Sequence, residues 1–358
     1  MFEVITRRRA LIGTIVLAAV LLVLPLYVGG FWLRIGLFAM AAAMGAIGLT
    51  LLFGAAGQLS LGHAFFIAIG TYGYAYLSGD DQGRTQGLGL PPLLAAVLAV
   101  LLAGVAGLMF SPVAGRLRGL YLGIASLGLV FLGHHLLLNL PSVTGGYDGR
   151  SVTPFSLAGH EFSDASGLVV AGVPFGDVEH LWYLFLALMA GGVLVAHNVL
   201  RGRPGRAYRL MRDSEIGAAS MGVDVRHAKA SAFVLSSMFA GLGGVMTALA
   251  FQRAIPDYFD LMLSIDVLVM VVLGGLGSVG GAIAGATLVT ALPLVLSRYA
   301  DALPLVVAGG QSGGLDASIA AKFAYGSLVM IVVLRHGRSM RPFRAVRRGP
   351  ATPEPAAA

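Results

Sequence analysis

Two glycine-rich segments interrupt long apolar stretches, and they carry the residues whose types and spacing could do chemistry. The first places polar side chains among glycines, Gly54-Ala55-Ala56-Gly57-Gln58-Leu59-Ser60-Leu61-Gly62, and His63 follows it directly. The second, Gly274-Gly275-Leu276-Gly277-Ser278-Val279-Gly280-Gly281, resembles it. Glycines permit a helix to break, and the freed backbone groups then lie against protein or a water-filled cavity. The candidates for a polar path through the protein are Gln58, Ser60, His63, Gly274, Gly275 and Gly277.

The second segment also matches the G-x-G-x-x-G pattern of dinucleotide sites, because it follows a strand-like apolar run at 267–273. A dinucleotide site needs a βαβ unit whose helix has a polar face. Residues 281–297 contain no charged side chain, which argues strongly against that interpretation. A membrane-bound oxidoreductase using these glycines remains an alternative, and it predicts nicotinamide binding.

Cysteine and lysine usage excludes further chemistry. The chain has no cysteine, which excludes thiolate zinc sites, Fe–S clusters and cysteine nucleophiles. Its two lysines, Lys229 and Lys322, both follow an alanine, whereas a phosphate-binding Walker A loop needs glycine before its lysine. We expect a protein that is not an enzyme and holds no metal or cofactor, and any ATP would be bound by another polypeptide.

Few other ionisable residues lie within the apolar stretches. His134 and His135 are near Asn139, and we expect them to be packed and hydrogen-bonded. We place Asp266 at a helix start, where a carboxylate gains from the helix dipole. On that placement no span carries a carboxylate in its middle, which disfavours ion-coupled carriers.

Composition indicates the class of protein that must position these residues. Hydrophobic residues make up 57% of the 358 residues and charged residues only 11%, against about 25% charged in soluble domains. The apolar residues form runs of about 20, the length that crosses ~30 Å of hydrocarbon. The sequence therefore predicts an all-α polytopic membrane protein, whose 51 glycines let helices approach closely.

The apolar pattern predicts about ten transmembrane helices, with eight as the lower limit. The spans are 10–28, 31–53, 61–77, 91–111, 119–140, 181–200, 230–250, 263–276, 281–297 and 321–334. Two of them, 263–276 and 321–334, are short for a full crossing.

Basic residues are concentrated in four segments, 1–10, 112–118, 201–229 and 335–358, which hold 18 of the 24 Lys and Arg residues. With ten spans all four segments lie on one face, which the positive-inside rule makes cytoplasmic, together with both termini. The net charge of +7 therefore reflects how the protein is oriented in the membrane, and we expect no nucleic-acid partner.

We predict one transmembrane domain over 1–345 and a disordered cytoplasmic tail over 346–358, which is rich in proline and alanine. Within the domain, 141–180 forms an outward loop with a short helix or hairpin. Residues 201–229 form a cytoplasmic loop.

The cytoplasmic loop carries signals for a short helix across the face of the protein. Asp213 or Ser214 can cap it, and Gly222 can end it. Its middle is small or apolar and its flanks are charged, a composition suited to a socket on a partner protein; the residues of this middle are Ile216, Ala218, Ala219 and Met221. The alternative is a solvated basic loop that only sets the topology.

Four separated motifs, in order between residues 31 and 335, resemble the inner-membrane permeases of branched-chain amino-acid ABC importers. They are residues 57–66, 144–149, 205–222 and 274–277. One departure is that family loops read Glu-Ala-Ala, three residues, then Gly, whereas here Ile216 and Gly217 follow Glu215 and Gly222 falls one place later.

The resemblance implies a permease subunit, multi-pass in a bacterial inner membrane, that moves substrate by alternating access. It implies four kinds of partner: a second homologous permease, two ATP-binding subunits, a periplasmic solute-binding protein and membrane lipid. The residues that it assigns to ATPase coupling are Arg209, Arg212, Asp213, Ser214, Glu215 and Gly222. Substrates of the family range from branched-chain to other amino acids, urea and amides. A self-sufficient carrier or channel for a small polar solute is the second hypothesis.

Overall fold

The computed structural model describes most of the chain, and its apolar stretches are helical. The described residues are 16–81, 83, 85–117, 119–157, 160–161, 169–170, 173–174, 176–300, 306–307 and 315–337. The predicted disordered tail, 346–358, and the first six residues of the predicted span 10–28 lie outside them.

Thirteen helices are present in the described part of the chain. They are α1 (16–23), α2 (Gly30–Leu49), α3 (His63–Ser78), α4 (Pro92–Arg116), α5 (Leu120–Asn139), α6 (Pro141–Thr144), α7 (Asp177–Arg201), α8 (Arg203–Asp213), α9 (Glu215–Ser220), α10 (Val225–Phe251), α11 (Leu261–Gly274), α12 (Val279–Arg298) and α13 (Ala317–Gly337). A π-helical segment, Thr50–Ala55, continues α2. Three 3-10 turns are Leu24–Leu26, Gly146–Asp148 and Pro256–Phe259.

Short strand pairs occur between the helices. The strands are β1 (Arg150–Ser151), β2 (Ser156–Leu157), β3 (His160–Glu161), β4 (Val169–Val170), β5 (Val173–Pro174), β6 (Arg253–Ala254), β7 (Val306–Val307) and β8 (Leu315–Asp316). β1 pairs antiparallel with β6, and Arg150 lies opposite Ala254. β2 pairs antiparallel with β3, and β4 with β5. β7 and β8 are parallel. The predicted loop 141–180 thus contains both a short helix and hairpins.

The predicted fold class, an all-α polytopic membrane protein, is confirmed. Each of the ten predicted spans coincides with a helix. Among the described residues six helices are long and apolar enough to cross a membrane: α2 with its π-helical extension, α4, α5, α7, α10 and α12. The total number of crossings and the side on which the termini lie remain predictions.

The core of the bundle is built on α2 and α10. The apolar windows of α2 and α10 are 83% and 72% buried, whereas those of the other four long helices are 17–28% buried. α10 packs against α2, α3 and α4. The contact with α3 depends on glycine, since a Cβ on Gly70 would lie 2.0 Å from the carbonyl oxygen of Gly241.

The predicted start of α11 is wrong, and this changes the position of Asp266. The side chain of Asp260 caps the helix by accepting a hydrogen bond from the Leu263 N–H at 3.1 Å. Asp266 is consequently the sixth residue of α11, not part of its first turn. Ser264, two residues before Asp266, is buried and accepts a hydrogen bond from the Ala64 N–H of α3 at 3.0 Å.

The prediction for the histidine pair on α5 is confirmed in part. Asn139 Nδ2 donates to the His135 carbonyl at 2.8 Å and lies 3.4 Å from His135 Nδ1. His135 is exposed and His134 is half-buried. The hydrogen-bonded part of the prediction therefore holds for His135, which is not packed within this chain. It does not hold for His134, whose buried Nδ1 has no hydrogen-bond partner among the described residues.

Candidate functional site

The loop predicted at 201–229 folds as an arm of two helices, α8 and α9, between α7 and α10. Tyr208 and Met211 bury one face of α8, and the Tyr208 hydroxyl lies 3.0 Å from Ser231 Oγ on α10. Burial raises the pKa of Tyr208, and its hydrogen bond with Ser231 partly offsets that rise. Arg209 bends back toward α7 and donates to the Leu200 carbonyl at 2.9 Å. The arm is therefore packed onto the helical bundle along its length.

The second helix of the arm, α9, has the predicted cap and apolar surface. Ser214 Oγ accepts a hydrogen bond from the Gly217 N–H at 3.0 Å, and Gly222 beyond its end has a φ of +80°, which glycine adopts without strain. Ile216 is 81% exposed and Met221 71% exposed. Ala218, which the sequence placed with them on the surface offered to a partner, is buried because it packs toward the protein.

Two charged side chains of the arm turn inward and contact the bundle. Glu215 Oε1 lies 2.7 Å from Lys229 Nζ on α10, and the Lys229 side chain is only 4% exposed. Arg212 Nη1 donates to the carbonyl oxygen of Gly54, in the π-helical end of α2. The arm is thus connected to α10 and to α2, the two most buried long helices.

The two glycine-rich segments are in direct contact beside Arg212. A Cβ on Gly54 would lie 2.4 Å from the backbone nitrogen of Gly277, and one on Gly57 would lie 3.0 Å from Arg212 Cγ. Gly57 and Gly277 have φ values of +69° and +86°. Because π-helical segments occur frequently at functional sites, the contact between both breaks and the arm marks this region as the candidate site.

The polar residues of the first break are buried. Ser60 Oγ accepts from the Gly62 N–H at 3.2 Å, and His63 Nε2 lies 3.1 Å from Ser236 Oγ. Gln58 is 5% exposed, and within the described structure neither polar atom of its side chain has a hydrogen-bond partner. Such a buried amide is costly to leave unpaired, so Gln58 is the pathway candidate best placed to contact a solute.

A cleft of about 320 Å³ joins Gln58 to the arm. We refer to it as the inner cleft. Its polar wall includes Gln58, Arg212, Asp213, Glu215 and Lys229, and α5 closes it from the other side with Gly119 and Leu122.

The structure therefore brings some of the predicted site residues together in one cleft and places others outside it. Gln58, Arg212, Asp213, Ser214 and Glu215 line the inner cleft. Ser60 and His63 lie outside its lining. The turn between α11 and α12 contains Gly275 and Gly277, and Gly274 packs directly on Gly281.

Several residues of the site were not predicted, because their partners are distant in sequence. Ser126 Oγ of α5 accepts a hydrogen bond from the Leu61 N–H at 2.8 Å. Together with Ser264 of α11, which accepts from the Ala64 N–H, it stabilises the chain around the start of α3. A buried break must find partners for its N–H groups. The need for these partners predicts that such hydroxyls exist, although it does not identify the helix that supplies them. Lys229 also belongs to α10 rather than to a loop.

The glycine pattern at 275–280 does not form a dinucleotide site. It joins two helices, α11 and α12, whereas the phosphate-binding turn of that site follows a strand. Among the described residues no group of three His, Asp or Glu side chains could hold a metal ion.

The fold and the site define a polytopic helical membrane protein with an arm packed against two glycine-rich helix breaks. The family described as branched-chain amino acid transport system / permease component matches residues 31–334. The chain belongs to this family.

Individual relatives share about a quarter to a third of the aligned residues. The permease protein LivM of the high-affinity branched-chain amino acid transport system of Escherichia coli is 35% identical over 70% of this chain. The alignment spans 59% of that relative's length. LivH of the same organism is 26% identical over 72% of this chain and 82% of its own. A probable LivM protein of Methanocaldococcus jannaschii is 28% identical, over 58% of this chain and 56% of its own.

Proposed function

We propose that this protein is the membrane-embedded permease subunit of an ABC importer for branched-chain amino acids. The observation that carries the proposal is the family match over residues 31–334, which includes the arm, the glycine breaks and the inner cleft. In the proposed assembly a solute-binding protein delivers the substrate from outside, a second permease subunit completes the path, and two separate subunits hydrolyse ATP. The assembly sits in the bacterial inner membrane.

The arm is the proposed contact with the ATPase. Ile216 and Met221 present apolar surface on α9, and desolvated apolar side chains are common centres of protein interfaces. Glu215 and Arg212 point the other way, onto Lys229 and Gly54. The arm thus has an outer face on α9 that a partner can contact, and an inner face connected to α10 through Glu215 of α9 and to α2 through Arg212 of α8.

The proposed mechanism is alternating access, with the arm as a lever. A rigid-body displacement of the arm by the ATPase would act on α10 through the Glu215–Lys229 pair and on α2 through Arg212. Because Arg212 also contacts Gly57, that displacement would change the width of the inner cleft next to Gln58. Ser60, His63 and the glycines of both breaks would complete the path with weak contacts, so that the substrate is released.

The test is uptake of radiolabelled leucine by proteoliposomes that hold the complete assembly, with partner proteins taken from neighbouring genes. Replacing Ile216→Asp together with Met221→Asp is expected to abolish uptake and substrate-stimulated ATP hydrolysis while the protein still inserts and melts normally. The matched control is Leu88→Asp, an exposed apolar residue in a loop at the far end of α3. Normal uptake by the α9 variant would refute the coupling role.

A self-sufficient carrier is the second candidate, and one observation favours it. Asp266 lies within α11, and carboxylates inside membrane helices are common in ion-coupled carriers. The two functions differ in one measurement. A carrier moves leucine when this chain is reconstituted alone, whereas an importer subunit is inert until its ATPase and binding protein are added.

A further inference from the structure

A second cavity lies between α2, α3, α10, α11 and α12, well away from the inner cleft. Its volume is about 250 Å³, and Thr247 of α10 lines it. Thr247 lies 18 residues after Lys229 on the same helix, which corresponds to about 27 Å at 1.5 Å per residue. Pockets for drug-sized ligands measure about 300–1,000 Å³, so this cavity suits a smaller molecule. We call it the outer cavity.

Most of the wall of the outer cavity is apolar and aromatic. The ring of Phe251 lies 4.4 Å from that of Phe38 and 4.9 Å from that of Tyr258, measured between centroids. Ile67, Leu263 and Met270 add aliphatic side chains to the lining. A molecule that fills this space must bring an apolar part of its own, since a polar one would lose its hydration without compensation.

One carboxyl group faces this apolar space. Asp266 lines the cavity, and its Oδ1 accepts a hydrogen bond from the Tyr325 hydroxyl of α13 at 3.0 Å. Lys322, one turn earlier on α13, acts on the carboxylate electrostatically, but its side chain is exposed. An ionised carboxylate offers about four acceptor positions, so Asp266 can accept hydrogen bonds from a further donor inside the cavity.

More acceptors lie on the same lining. Pro293 has no N–H, so the carbonyl of Val289 one turn earlier lacks its usual helical donor, and both residues line the cavity. Thr247 donates its hydroxyl proton to the Gly243 carbonyl at 2.8 Å, which leaves its oxygen able to accept. Thr290 adds another hydroxyl. A protonated amine carries three donors, and a carboxylate, a carbonyl and hydroxyls are its natural partners.

We propose that the outer cavity binds a small α-amino acid with an apolar side chain. Asp266 binds the ammonium group, the aromatic and aliphatic wall contacts the side chain, and the hydroxyls of Tyr258 and Thr290 can donate to the carboxylate. The proposal rests on the proposed function, which it deepens by assigning a binding site to the substrate. It also gives the half-buried carboxylate of Asp266 a role that the sequence interpretation did not provide.

The absence of cysteine from the chain makes a protection experiment direct. Thr290→Cys is introduced into the complete assembly in proteoliposomes, and its maleimide labelling is followed by the shift of this chain's gel band, with and without leucine and the binding protein. We expect leucine to slow labelling by about ten-fold or more. Thr287→Cys, exposed on the same helix outside the lining, is the control and should show no protection.

Asp266→Asn in the Thr290→Cys background is expected to remove the protection and to raise the leucine concentration for half-maximal uptake by at least about ten-fold. Asp266→Glu should restore part of both, and Asp257→Asn, an exposed aspartate outside the lining, should change neither. If Asp266→Asn does not assemble, Thr247→Val and Thr290→Val must weaken uptake affinity instead. The proposed site is overturned if leucine still slows the labelling of Thr290→Cys when Asp266→Asn is present. It is also overturned if leucine does not slow the labelling of Thr290→Cys, with Asp266 intact, in an assembly that takes up leucine. Absence of leucine uptake by the wild-type assembly overturns the proposed function instead.

Discussion

Two buried cations, at opposite ends of the bundle, are satisfied in different ways. At the arm, Lys229 pairs with the side chain of Glu215, which belongs to a six-residue helix and is 23% exposed. At the other end, Arg150 is 5% exposed and donates to the main-chain carbonyls of Gln86 and Val143 at 3.0 and 2.6 Å.

The difference predicts that the end with the arm moves and that the end with Arg150 stays fixed. Carbonyls of two chain segments cannot shift without breaking these contacts, so Arg150 holds the region around β1 and β6 in one arrangement. Burial lowers the pKa of Arg150 below its ordinary value, and the neighbouring tyrosines Tyr76 and Tyr72 partly offset this. A single ion pair to a short, half-exposed helix can break and re-form as that helix moves.

The comparison is tested most severely by Arg150→Met. This change leaves two carbonyls without their charged donor, and we expect a loss of unfolding free energy on the order of 3 kcal/mol. The melting temperature in detergent should fall, and uptake should fall only in proportion to the folded fraction. Arg253→Met, which removes an exposed arginine bonded to the Asp148 carbonyl, is the control and should melt close to the wild type.

Lys229→Met should give the opposite pattern. We expect uptake to drop by about ten-fold or more, because the arm loses its connection to α10, with little change in melting temperature since Glu215 can reach water. Exchanging the charges, Lys229→Glu with Glu215→Lys, should recover part of the uptake. A large loss of melting temperature without a specific loss of coupling would place Lys229 in the same structural class as Arg150.

Gly57→Ala is expected to have an intermediate effect. Gly57 has a φ of +69°, and the added Cβ would lie 3.0 Å from Arg212 Cγ. The left-handed conformation costs a non-glycine residue roughly 1–2 kcal/mol, and the contact pushes the arm away from α2. Leucine uptake should fall several-fold. Gly222→Ala, with a similar φ and open space around it, carries the backbone strain alone, so equal defects in both variants would contradict the role of the Arg212 contact.

The smallest effect is expected at Asp224, the exposed N-cap of α10. Hydrogen bonds from the backbone N–H and the side chain of His227 lower the pKa of Asp224 in the folded protein. A lowered folded-state pKa means that this contribution to stability is present above the pKa of the unfolded chain and is lost as the pH falls through the folded value. Asp224→Asn keeps a capping oxygen but loses the charge. The dependence of melting temperature on pH below about 5 should therefore be shallower in Asp224→Asn than in the wild type.

The sequence predicted the helices better than it predicted their boundaries and contacts. Apolar runs alone placed a helix at each predicted span, because a stretch of that composition has no stable alternative in a membrane. Ser214 was correctly proposed as a cap, since capping depends on residues within one turn. Asp260 was missed as the cap of α11, and Asp266 was consequently assigned to the wrong part of its helix.

The sequence by itself determined the class of protein, the segments that break its helices and the position of the short helix α9. These depend on local pattern: hydropathy, glycine and capping residues act within a few residues of one another. Only the tertiary structure decided that Gly54 packs against Gly277, that Glu215 faces Lys229, and that Asp266 faces a cavity shared by five helices. Contacts of this kind depend on how helices distant in sequence rotate and approach, and side-chain packing sets that geometry.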